Sequence, residues 1–211
     1  MNVSFLCASA QSQYSCSLFQ TFLKVLTLAQ RGLFYEMSRQ TAWDVLNDLI
    51  AHGVDKQEYE IVVRELLEMH LIKIGVNCQG EETISLLSAA LGDIAFDVCT
   101  PEQINSICKE ILDRVAPLQD KDFRVPFLMA SFHYRLDGSE TAMVQLWKKG
   151  YAMLLNMRDE FSESRFNMIL EEIDEEVSNC GYNPQEVFGI GFKYPPVNEN
   201  PIGTNFLLVK L

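Results

Sequence analysis

The stretch DKQEYEIVVRELLEMHLIKIGV, Asp55 to Val76, decides the fold. Tyr59, Val62, Val63, Leu66, Leu67 and His70 recur at i, i+3, i+4, i+7, i+8 and i+11, which is one face of an α-helix. Asp55 and Glu58 have the spacing of a capping box, with Asp in place of the usual Ser or Thr. The pattern then changes period. Leu71, Ile72, Ile74 and Val76 form an extended, β-prone run, and Asn77, Gln79, Gly80 and Glu81 make a polar turn.

A helix that runs into a strand and then a turn is how a winged helix is often built. The flanks fit that reading. Thr83, Ile84 and Ser85 can open a second wing strand, with Leu86 to Leu91 continuing as helix. Upstream, Ser38 or Thr41 starts a helix that carries Trp43, Leu46, Leu49 and Ile50 and stops at Gly53, taken as a C′ glycine. Ser17 to Gln30 is a further helix, apolar over more than one stripe and so expected to be largely buried, with Gly32 ending it. A winged-helix-like segment near residues 39–87 is the expectation.

The rest of the chain reads as helix too. Thr100 is an N-cap, Pro101 sits at N1 and Gln103 closes a capping box. Ile104, Ile107, Cys108, Ile111, Leu112 and Val115 then trace one face, and Glu110 and Arg114 are spaced as an i,i+4 pair. Pro117 ends that helix. Asp120 to Pro126 is a polar link and the candidate boundary between segments 1–119 and 120–211, which a single domain could also contain. Phe127 to Leu136 is apolar and aromatic, a helix with a strand as alternative. After the Asp137–Gly138 turn, Ser139 caps a helix to about Met157. Gly150 sits on its apolar face and costs helix propensity, so a close helix contact is expected there. Ser162 to Asn179 is the last long helix, with Phe166, Ile169, Leu170, Ile173 and Val177 on one face and Gly181 at its end. Asn183–Pro184 opens a short helical turn. Val187 to Tyr194 reads as extended, and Phe206 to Leu211 as a terminal apolar strand that should be docked rather than free. The fold class is therefore mainly α with a few short β-strands.

Composition sets outer bounds. The chain has 211 residues, 48% of them apolar and 22% charged, which are globular values. Nothing reaches the length of a membrane-spanning helix, and the N-terminus lacks the basic region and the long apolar run of a signal peptide. The six cysteines (Cys7, Cys16, Cys78, Cys99, Cys108, Cys180) include no C-x-x-C and are read as reduced thiols of a cytoplasmic protein. The net charge is −12, which opposes binding to nucleic acid or an anionic membrane. Nine acidic residues and one basic fall between Asp159 and Glu186, two-thirds of that net charge in one segment.

No motif carries an evident reaction. The acidic helix does not have the alternating loop ligands and central glycine of a calcium site, and no Glu-x-x-His supports a di-iron bundle. There is no G-x-S-x-G, and no serine or cysteine has an evident histidine partner. His52, His70 and His133 are read as structural. Gly189-Ile190-Gly191 lacks the third glycine and the following helix of a dinucleotide site. No catalytic residue, metal ligand or cofactor is assigned, and a small-molecule ligand is not expected.

The expected role is a non-enzymatic protein–protein interaction module: an adaptor or secretion-chaperone-like subunit of a larger complex. Its partner would be another protein with a basic or apolar surface. The candidate partner-binding residues are Glu171, Glu172, Asp174, Glu175 and Glu176 on the acidic helix and Phe206, Leu207 and Leu208 in the tail. The alternatives are an acidic inhibitor or immunity-type protein that blocks a basic site, a winged-helix DNA-binding regulator, and an enzyme whose residues are scattered.

Overall fold

The computed structural model describes residues 13–30, 35–77, 80–88, 99–136, 139–189 and 192. Its N-terminal part runs α1 (Gln13–Ala29), β1 (Met37–Ser38), α2 (Arg39–Leu49), α3 (Lys56–Glu68), β2 (Ile72–Val76) and β3 (Glu82–Leu86). The three strands form an antiparallel sheet in the order β1-β3-β2. Met37 pairs with Ile84, and Ile72 pairs with Leu86. Helix, short strand, two helices and a two-stranded hairpin, with the third strand central, is the element order expected of a winged-helix-like segment. Segment 82–86 is a strand along its whole length, and Leu87 and Ser88 lie outside any helix. Residues 89–98 are outside the described residues, as are the turns at Gly32 and at Asp137–Gly138.

Local chemistry sets the ends of these elements. Ser38 caps α2, its hydroxyl accepting from the Thr41 N–H. That helix stops at Leu49, earlier than the expected Gly53. The Asn47 side chain accepts from the Val54 N–H at 2.9 Å, so the inter-helix turn is held from inside α2. Gly53 occupies the left-handed region within the turn, at φ 71°. Asp55 caps α3 by accepting from the N–H groups of Gln57 and Glu58. Tyr59, Val62, Val63 and Leu66 form its buried face. His70 does not extend that face. It is exposed, lies past the helix end and adopts φ 54°. The Leu71 N–H reaches Leu66 O and the His70 N–H reaches Leu67 O, both at 3.0 Å. That is the bond pattern of a Schellman motif, with a histidine where glycine is usual.

The second part comprises α4 (Pro101–Val115), α5 (Arg124–Leu136), α6 (Glu140–Asn156), α7 (Glu163–Asn179) and α8 (Pro184–Phe188), with 3-10 turns at Ala116–Leu118 and Arg158–Glu160. Both bonds of the Thr100–Gln103 capping box are made. The expected Glu110–Arg114 pair gives way to a bond between Arg114 and Asp48 of α2, which ties α4 to the winged helix. Helix α5 begins inside the segment read as a polar link. The Asp122 carboxylate accepts from the Arg124 N–H at 3.0 Å and from its guanidinium at 2.8 Å. Val187 and Phe188 are helical rather than extended, because Asn183 caps α8 and Pro184 fits its first turn. Phe192 folds back onto Tyr151, with ring centroids 5.4 Å apart.

Two apolar clusters result. One joins α1–α4 and the sheet, and the other joins α6–α8. Helix α5 serves both, with Val125, Leu128 and Phe132 in the first and Phe127 and Ala130 in the second. Where α5 and α6 cross, Gly150 lies against Phe127 and the Phe123 carbonyl. This is the close contact its position implies. Among the described residues, no helix is long and apolar enough to cross a membrane.

Candidate functional site

The acidic helix forms as its pattern implies. Ser162 caps α7, and all five expected apolar residues, Phe166, Ile169, Leu170, Ile173 and Val177, are buried. Glu171 and Glu175 are exposed one turn apart, while Glu172, Asp174 and Glu176 are half-buried. Glu172 and Glu176 each take part in interactions within the chain. The freely presented charge of this face therefore centres on Glu171 and Glu175. Phe206, Leu207 and Leu208 lie outside the described residues.

A second place, which the sequence did not indicate, lies on the winged helix. The start of α2, the start of α3 and the base of the wing line a shallow, open cleft of about 370 Å³. Arg39 is one of its lining residues. Its guanidinium bonds Glu82 of β3 at 2.9 Å and also bonds Glu60 of α3. The Tyr59 hydroxyl donates to Arg39 O at 3.1 Å, which fixes α3 against α2. Burial pushes the Tyr59 hydroxyl pKa well above its ordinary value, so it stays a neutral donor. Trp43, Lys56 and Glu81 complete the wall. Two donors in this region, Trp43 Nε1 and Arg39 Nε, are buried and have no acceptor among the described residues. Buried donors are nearly always paired, so two together are uncommon.

Around the cleft the winged helix is acidic. Seven acidic residues stand against three basic ones from Asp55 to Leu86. Lys73 on β2 is paired with Glu36 at 3.0 Å. On α3, Lys56 and Arg64 are exposed amid Glu58, Glu60, Glu65 and Glu68, and the exposed face includes Ile61. Val76, in the wing, is 67% exposed.

Among the described residues, the thiols and histidines form no evident reactive group. Cys108 and Cys180 are free thiols. Burial pushes the Cys108 thiol up to about 12, and burial followed by the Glu176 charge pushes Cys180 up to about 11. Neither is an activated thiolate. His52 is exposed just past α2, and His133 is half-buried on α5. Among the described residues, no group of three or more His, Cys, Asp or Glu side chains is placed to hold a metal ion.

Comparison with protein-family models, with curated proteins and with solved structures gives no match. The functional reading therefore rests on this chain's own chemistry.

Proposed function

We propose that this protein is a non-enzymatic protein-interaction module, an adaptor or chaperone-like subunit, that engages a basic partner through its winged-helix unit and its acidic helix. The observation that carries this reading is the charge of the face a winged helix would turn to DNA. Arg39 is neutralised by Glu60 and Glu82, and Lys73 by Glu36. What remains on α3 and the wing is mostly carboxylate, with Ile61 and Val76 as apolar points. DNA binding depends on Lys and Arg releasing phosphate counterions, and this surface works against that. Carboxylates around apolar points suit a protein surface of opposite charge, where such charge steers encounter.

The test is capture of partners from native lysate with the full chain as bait, followed by mass spectrometry. A retained partner with a basic surface is expected, released by salt and lost when Glu171 and Glu175 are both changed to Lys. Saturable binding to a defined duplex at about 0.15 M salt, abolished by changing Arg64 and Lys73, would refute the proposal in favour of a DNA-binding regulator.

A further inference from the structure

We draw no further inference here: the strongest candidate, the outer edge of strand β2 (Ile72–Val76) with its exposed Val76, carries nothing, because nothing among the described residues shows what covers it.

Discussion

Replacing Gly150 by alanine should destabilise this protein, against the ordinary trend for helices. In the middle of an unconstrained helix the change from glycine to alanine stabilises by about 0.5–1 kcal/mol, because glycine loses the most freedom on folding. At this site the added methyl would stand 2.5 Å from Phe127 Cε2 and 2.9 Å from the Phe123 carbonyl oxygen. Comfortable carbon contacts are about 3.5–4.0 Å. The Phe127 ring would have to move by about 1 Å, and it is fully buried. The carbonyl on the other side cannot rotate away. Overpacking of this kind costs about 1–3 kcal/mol, so the net loss centres on about 1 kcal/mol once the propensity gain is subtracted. The assay is urea unfolding followed by far-UV circular dichroism, where the midpoint should fall with the slope unchanged. Phe127→Leu in the same chain should recover part of the loss in a double-mutant cycle. A Gly150→Ala protein as stable as the parent would show that α5 and α6 do not cross as closely as described.

Other expectations follow from single features. His70→Gly should raise stability by up to about 1 kcal/mol, since an L-residue in the left-handed region costs about 1–2 kcal/mol and glycine gives part of that back in chain entropy; a lower melting temperature would mean that the His70 ring makes a contact worth more than the strain. Changing Glu171 and Glu175 to Lys should alter stability by less than about 1 kcal/mol per site, as exposed charges do, and slow partner association at low salt; an unchanged association rate would reduce the acidic face to a solubility device. Cys108 has its folded-state pKa raised from 9.0 to about 12. Its contribution is therefore fully present below pH 9 and declines as pH rises toward 12, by about 1.4 kcal/mol per unit. Urea titrations from pH 8 to 10.5 should show that slope, and Cys108→Ala should reduce it; an identical slope in the variant would place the alkaline sensitivity elsewhere, Cys180 being the next candidate since burial and the Glu176 charge push it up to about 11.

Where the signals are local, sequence and structure coincide. The Thr100–Gln103 box, the α7 stripe from Phe166 to Val177 and the strands around Ile74 and Ile84 depend on residues within a few positions of one another, so periodicity and capping chemistry suffice. What escaped reading depends on distance along the chain or on brevity. Strand β1 is two residues long and has no period to detect. Val187 and Phe188 look β-prone by composition, yet the Asn183 cap and Pro184 outweigh that preference in so short a helix. Arg114 chose Asp48, 66 positions away, over its i+4 neighbour. The cleft is lined by an ion pair spanning 43 positions, Arg39 to Glu82. No window of sequence contains both partners, so the pocket exists only once the wing has folded over the start of α2.

Helix α5 has a consequence for how this protein comes apart. Its Val125, Leu128 and Phe132 complete one apolar cluster, and Phe127 and Ala130 complete the other. Neither cluster can be opened by fraying from a chain end without baring one side of a helix that the other still needs. Local opening therefore draws on both halves. Amide protons deep in α5 should carry close to the global unfolding free energy, and those near the termini far less. Close-packed interiors transmit strain, so this two-sided helix couples the two apolar clusters mechanically.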